Sequence, residues 1–364
     1  MERRVLQKGA RIRVLVVDDS VVIRRLVTLA LSEDPQIEVV GAAADGAIAL
    51  SMIPQVAPAV VTLDIEMPVM DGLETLRRIR RDHPHLCTIM FSSLTQQGAA
   101  ATMEALALGA DDYAAKAANT GSLDQSLASL RTELVPKIKQ FFTWQDGARP
   151  SVPVARAPLA APARAERPRT SGVLQKRQIV AIGVSTGGPI ALSTVLATLP
   201  AGFPVPIVIV QHMPPVFTRL LAERLNAQCL LAVEEAAEGT QLAPGKVVIG
   251  RGDYHMQLRR KGLQIEVHLD QSPPENSCRP AVDVLFRSVA DVYGGGVVAA
   301  VLTGMGQDGL RGVEVLKTQG AYVIAQDEAS SVVWGMPGLV ATAGLADAVI
   351  PLDTIAGAII KQVN

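Results

Sequence analysis

Along the chain, short apolar runs alternate with segments whose apolar residues recur at helical spacing. In the first half the runs are Val14 to Val17, Glu38 to Ala42, Val60 to Leu63, Thr88 to Phe91 and Tyr113 to Ala115. Between them Val22, Leu26 and Leu29, then Leu73, Leu76 and Ile79, then Met103, Leu106 and Leu108 share a helix face. A last helix is predicted to open at Ser122, three residues before Gln125 in a capping box, and to carry Leu123, Leu127, Leu130 and Leu134. Such strand–helix units predict a doubly wound, mostly parallel sheet. The rhythm collapses between Gly147 and Thr170, where Pro150, Pro153, Pro158, Pro162 and Pro168 leave no hydrophobic period and arginines outnumber the one acid, Glu166. That composition predicts an exposed, partly extended linker. After Ile179 the rhythm resumes, with Val180 to Val184, Pro206 to Val210 and Val297 to Leu302 almost wholly apolar, as suits parallel strands buried on both faces. The expected organisation is therefore two α/β domains, at 11–135 and 177–364, joined by a Pro/Ala/Arg-rich linker at 136–176.

Composition narrows the function classes. Two domains of moderate size suit 364 residues. Lys plus Arg (34) balances Asp plus Glu (35) and aromatics are 3%, which argues against a nucleic-acid partner. Cys87, Cys229 and Cys278 are far apart and lack metal-ligand spacing, so reduced thiols are expected. The run at Val14 ends in Asp18-Asp19, unlike a signal peptide, and no run approaches the ~20 residues that span a bilayer. A soluble, cytoplasmic protein that is not membrane-inserted is expected.

The polar residues that carry chemistry lie just past strand ends. Asp18 and Asp19 follow the first strand, Asp64 the third, Ser92 the fourth and Lys116 the fifth. Sites in open α/β sheets form outside the carboxyl ends of strands, so these would share a pocket. Carboxylates gathered there repel unless a hard cation joins them, and Mg²⁺ suits a few carboxylates plus phosphate oxygens. Asp64 could then accept a phosphoryl group, with Lys116 offsetting its charge. Singly each residue has a plainer reading: helix cap, turn residue, loop hydroxyl or surface cation.

In the second half Gly183-Val-Ser185-Thr-Gly187 fits the Gly-x-Ser-x-Gly elbow, in which a hydroxyl stands at the head of a helix. By itself this loop reads equally as a close-packing device or a phosphate cradle. The next apolar strand ends at Gln211-His212 and a later one leads to Asp308, so a nucleophile, a base and an orienting acid would share one sheet edge. The order Ser, His, Asp differs from that of the α/β-hydrolases, so convergence is the better account. His83 and His85 fall in the first domain, His255 in a turn-rich stretch and His268 in an alternating segment; only His212 follows a buried-type strand.

Asp18-Asp19, Thr62-Leu-Asp64-Ile-Glu-Met-Pro68 with Asp71-Gly72, Phe91-Ser-Ser93 and Tyr113-Ala-Ala-Lys116 together resemble two-component receiver domains. The resemblance implies a (βα)5 fold, Asp64 as phospho-acceptor and Asp18 and Asp19 as further Mg²⁺ ligands. It also implies Ser92 and Tyr113 as switch residues and Lys116 as phosphate partner. Ala117 stands where receivers usually carry proline. Downstream, Ile182-Gly-Val-Ser-Thr-Gly-Gly-Pro189, Gln211-His-Met-Pro214, Asn276-Ser-Cys-Arg-Pro280, Leu302-Thr-Gly-Met-Gly-Gln-Asp-Gly309 and Ala325-Gln-Asp-Glu-Ala-Ser-Ser331 resemble bacterial chemotaxis methylesterases. This implies a Rossmann-like methylesterase domain with Ser185 as nucleophile, His212 as base and Asp308 as its orienting acid. Thr186 and Met305 would support the oxyanion and the imidazole. The implied partners are methyl-accepting chemoreceptors as substrates, with deamidation of receptor glutamine a second activity, and a chemotaxis histidine kinase as phosphodonor. No cofactor is implied for the esterase, and a monomer is expected. Gly250-Arg251-Gly252 departs from the family's Ala-Pro-Gly. The unphosphorylated receiver is expected to cover the triad until Asp64 is phosphorylated.

Overall fold

A computed structural model describes residues 4–7, 9–93, 95–116, 123–145 and 176–364. The N-terminal half runs β1 (Arg4–Gln7), β2 (Ile12–Val17), α1 (Val21–Ser32), β3 (Ile37–Ala43), α2 (Gly46–Val56), β4 (Val60–Asp64) and α3 (Gly72–Asp82). It continues with β5 (Cys87–Ser92), α4 (Gln96–Ala107), β6 (Asp112–Ala115), α5 (Leu123–Lys139) and β7 (Phe142–Gln145). Strands β3-β2-β4-β5-β6 form one parallel sheet, whose order reverses direction between β2 and β4. All five predicted strands are present, each extended by a residue or more. Every residue of β4 and β5 is buried, which places these strands at the centre with helices on both faces.

The domain reaches further than its predicted limits. Helix α5 continues to Lys139, because Leu130, Leu134, Ile138 and Phe141 keep one apolar stripe buried against the sheet. Strand β7 then pairs in parallel with β1, Arg4 opposite Phe142 and Gln7 opposite Gln145. Residues 136–145, expected in the linker, thus belong to the first domain's structure. The predicted cap at Ser122, the substitution at Ala117 and the linker's Pro-rich centre lie outside the described residues.

The C-terminal half runs β8 (Ile179–Val184), α6 (Gly188–Ala197), β9 (Ile207–Gln211), α7 (Phe217–Gln228), β10 (Ala232–Glu235), β11 (Lys246–Ile249), β12 (His255–Lys261) and β13 (Gln264–Asp270). After these come α8 (Val282–Tyr293), β14 (Val297–Val301), α9 (Leu310–Thr318), β15 (Tyr322–Gln326), α10 (Met336–Thr342), β16 (Ala348–Ile350) and α11 (Leu352–Val363). Seven parallel strands are ordered β10-β11-β9-β8-β14-β15-β16, and β12 and β13 form a separate antiparallel hairpin. Chain order reverses where β8 lies between β9 and β14, which opens a crevice at the carboxyl ends of those three strands. No helix of the described residues is long and apolar enough to cross a membrane.

The two halves share an apolar core. A single buried cluster runs from Leu63, Met90, Met103 and Leu106 on the first sheet's side to Phe217, Leu221 and Ile209 on the second. Tyr113 stacks on Phe217 with ring centroids 4.9 Å apart and planes 9° from parallel, and Arg224 donates to the Met103 carbonyl at 2.9 Å. These contacts seat α4 and β6 on α7 and fix the receiver-like half over the second sheet's crevice.

The loop after β4 depends on close backbone approach at Gly72: a Cβ there would lie 2.1 Å from the Asp64 carbonyl oxygen. Gly72→Ala is expected to lower the stability of the N-terminal domain by about 1–3 kcal/mol. Urea unfolding followed by a probe in that domain measures it, and an unchanged midpoint would refute the tight packing.

Candidate active site

Three strand ends meet at the crevice of the second sheet. β8 ends one residue before Ser185, and the chain turns through left-handed Gly187 (φ 78°) into α6, which Pro189 helps to start. The turn is held from the neighbouring strand, because Gln211 Nε2 donates to the Ser185 carbonyl at 2.9 Å. That crossing explains Gly188, where a Cβ would stand 1.8 Å from Gln211 Oε1. Gln211 was noted in the sequence only as the neighbour of His212; the buried end of a strand was its one signal.

His212, just past β9, points an imidazole nitrogen at the acid: Nε2 lies 2.7 Å from Asp308 Oδ2. Asp308, 2% exposed, follows β14 and is unusually well braced. Its oxygens also accept from the backbone amides of Val282 (2.6 Å), Asp283 (3.0 Å) and Gly309 (3.0 Å), and from Asn276 Nδ2 (3.0 Å). Val282 and Asp283 open α8, whose N-cap residue Ala281 offers no side-chain acceptor. Asp308 therefore caps α8 from across the fold, and the helix's partial positive end favours its ionised form. Asn276 bridges Asp308 and Asp283, the latter at 2.9 Å; its role was missed because it sits in a turn with no periodic signal.

Burial works against a charged imidazole, but the hydrogen bonds it donates to Asp308 and Cys278 outweigh it and push His212 up to about 10. Asp308 is held below the usual carboxylate range: burial opposes this, and the His212 contact and helix amides prevail. With Nε2 committed to Asp308, Nδ1 is the nitrogen left for a nucleophile. It faces Cys278 Sγ at 3.6 Å, and among the described residues no hydrogen bond joins Ser185 Oγ to the ring. Such bonds often tighten only when substrate is bound.

Thr186 Oγ1 lies 3.3 Å from Asp112 Oδ2 and 3.2 Å from Gln140 Oε1, both on the first domain, and can donate to one of them at a time. Met305 is 40% exposed on the loop after β14. His255 is buried and structural: its Nδ1 accepts from the Ala281 amide at 3.2 Å and its Nε2 meets the Pro273 carbonyl at 3.2 Å. Arg251 stacks over the Tyr254 ring at 4.8 Å on the rim.

At the other switch point, Asp18 and Asp64 are 1% and 2% exposed at the ends of β2 and β4, with Asp19 exposed beside them. One oxygen from each of the three lies within 4.8 Å of the others. Lys116 Nζ is 2.7 Å from Asp64 Oδ2 and 2.9 Å from Asp18 Oδ2. These are ion-pair distances without hydrogen-bond alignment, for both oxygens are buried and lack an aligned donor. Burial is the main reason that Asp64 rises to about 6; the Lys116 contact opposes it and Asp18 adds to it. Three carboxylates gathered around a single lysine fit a hard divalent cation. Ser92 Oγ donates toward the Gly98 carbonyl at 3.0 Å, and Tyr113 lies against Phe217.

Residues 180–359 match the family model described as CheB methylesterase, and residues 14–128 match the response regulator receiver domain. The protein-glutamate methylesterase/protein-glutamine glutaminase of Trichodesmium erythraeum is 52% identical over 97% of this chain and 99% of its own. That of Nocardioides sp. is 50% identical over 96% of this chain and 95% of its own. The crystal structure of the Thermotoga maritima CheB methylesterase catalytic domain is 44% identical with a TM-score of 0.50, covering 51% of this chain and 98% of that one.

Asp308→Asn is expected to bring the His212 titration down from about 10 toward the ordinary 6.5, read by NMR of the ring protons. A raised folded-state pKa stabilises fully below about 6.5 and its contribution disappears as pH climbs through about 10. The variant should therefore lose less stability than the parent across that window, and identical losses would separate His212 from Asp308.

Proposed function

This chain belongs to the protein-glutamate methylesterase/protein-glutamine glutaminase family, and from that premise we propose that Ser185, His212 and Asp308 carry out its hydrolysis. The substrates are methyl-esterified glutamates on the cytoplasmic helices of chemoreceptors, with methanol as product, and receptor glutamines, with ammonia as product. The observation that carries the assignment is the meeting of the three residues at one switch point, with Asp308 bonded to His212 at 2.7 Å. Ser185 Oγ attacks the acyl carbon while His212 takes its proton, then returns it to the departing methoxide or amine. Water hydrolyses the acyl-enzyme by the same proton transfers in reverse order. The end of α6 beside Ser185 supplies backbone N–H groups for the oxyanion, and Gln211 holds the turn that presents them.

The receiver domain makes the enzyme phosphorylation-regulated. Asp64 is the proposed acceptor, charged by a chemotaxis histidine kinase. Asp18, Asp19 and Asp64 would hold Mg²⁺, which neutralises charge on the transferring phosphoryl oxygens; Lys116 pairs with the same oxygens. The arrangement supports autoinhibition. Tyr113, Ala115, Glu133 and Lys137 of the receiver face His212, Met213, Pro214 and Cys278 across a cleft of about 230 Å³. That is below the ~300–1,000 Å³ of ordinary small-ligand sites, so a receptor helix needs the receiver to move. A larger cavity of about 530 Å³, lined by Arg4, Pro54, His83 and His85, lies away from both sites and brings together no comparable chemistry. Action on receptor helices inside the cell, driven by a histidine kinase, supports a cytoplasmic location.

Ser185→Ala is expected to abolish methanol release from methylated receptor while leaving the melting temperature within a degree or two, as surface-like substitutions do. Retained hydrolysis would remove Ser185 from the nucleophile's role. A small-molecule phosphodonor with Mg²⁺ should raise the activity of the full-length protein roughly tenfold or more, a shift worth ~1.4 kcal/mol per decade between closed and open states. Asp64→Asn should give no response to the donor, and a response equal to the parent's would place the acceptor elsewhere.

A further inference from the structure

We propose that Cys278 and His212 form an inhibitory site for Zn²⁺ inside the catalytic cleft. Cys278 comes from the loop before α8, and its Sγ stands 3.6 Å from His212 Nδ1. Tetrahedral zinc holds a thiolate at ~2.3 Å and an imidazole nitrogen at ~2.0–2.1 Å, which sets the two ligand atoms about 3.6 Å apart. The observed separation therefore matches the length of one edge of a zinc tetrahedron. Behind the ring, Nε2 lies 2.7 Å from Asp308 Oδ2. A carboxylate on the far nitrogen is the arrangement that orients metal-binding histidines and raises their basicity; it leaves the proton on Nε2 and the Nδ1 lone pair directed at the metal. One donor atom from each of His212, Cys278 and Asp308 lies within 4.8 Å of the others.

The chemistry selects the ion. A soft thiolate beside an imidazole favours zinc over Mg²⁺ or Ca²⁺, which prefer oxygen ligands. Binding releases the thiol proton and the Nδ1 proton of the imidazolium, forms Zn–S and Zn–N bonds and leaves the remaining positions to water. It consumes the nitrogen left for Ser185, so bound metal and catalysis exclude each other. The inhibitory consequence rests on the reading of His212 as base; the binding site does not.

Two measurements on the full-length protein keep these apart. Titration with Co²⁺ should produce a sulfur-to-cobalt charge-transfer absorption in the parent and in Ser185→Ala, whose ligands are intact, and in Cys229→Ser. Cys278→Ala and Cys278→Ser should both lack it. Methanol release should be inhibited reversibly by micromolar Zn²⁺ and restored by a chelator, and half-inhibition of each Cys278 variant should need more than tenfold more metal, measured against that variant's own metal-free rate. Absence of the cobalt band in the parent, or its persistence in both Cys278 variants, overturns the site. A band without loss of activity overturns the inhibition and counts against His212 as the base.

Discussion

The Asp308 carboxylate is the constraint on which the catalytic crevice depends. It is buried, accepts amides from the first turn of α8, is braced by Asn276, and holds the His212 ring through Nε2. A helix start without its own cap would leave N–H groups unsatisfied in the interior, at a cost of ~1–3 kcal/mol for each buried group. One side chain thus completes a structural element and orients the imidazole of His212, the proposed base. Turning the ring so that Nε2 faces the nucleophile would break its 2.7 Å bond to Asp308.

The receiver is attached to the same crevice through chemistry of a different kind. Its contacts are an aromatic stack at Tyr113 and Phe217, a shared apolar cluster, and the approach of Asp112 and Gln140 to Thr186, the residue after the nucleophile. Tyr113 lies on β6, which pairs with β5, and β5 pairs with β4, the strand that ends at Asp64. The acceptor and the covering surface are therefore joined through two steps of one sheet. Differential contact of this sort is what a phosphoryl group must alter to shift the closed population.

Much of this was legible from the chain. Buried parallel strands announce themselves as continuous apolar runs, and the residues just past them, Asp64, Ser185, His212 and Asp308, fall at sheet edges because strand order and backbone direction leave little else possible. Strands β10 and β16 gave no comparable signal: they are short and partly exposed at the sheet's edges, so little of their length is apolar. Asn276 and Cys278 reach the site from an irregular loop, where position is set by tertiary contact and no periodicity marks it. Thr186, for which the resemblance implies a supporting role near the oxyanion, also engages the first domain through its hydroxyl, a docking that no local pattern encodes.

That engagement bears on how such a protein can change over generations. The proposed acceptor site at Asp64, with Asp18, Asp19 and Lys116, lies wholly within the first domain. Asp112, Gln140 and Tyr113 have meaning only opposite Thr186 and Phe217. A transplanted receiver would keep its acidic site and lose this seam, so the two facing surfaces are expected to change as a matched pair.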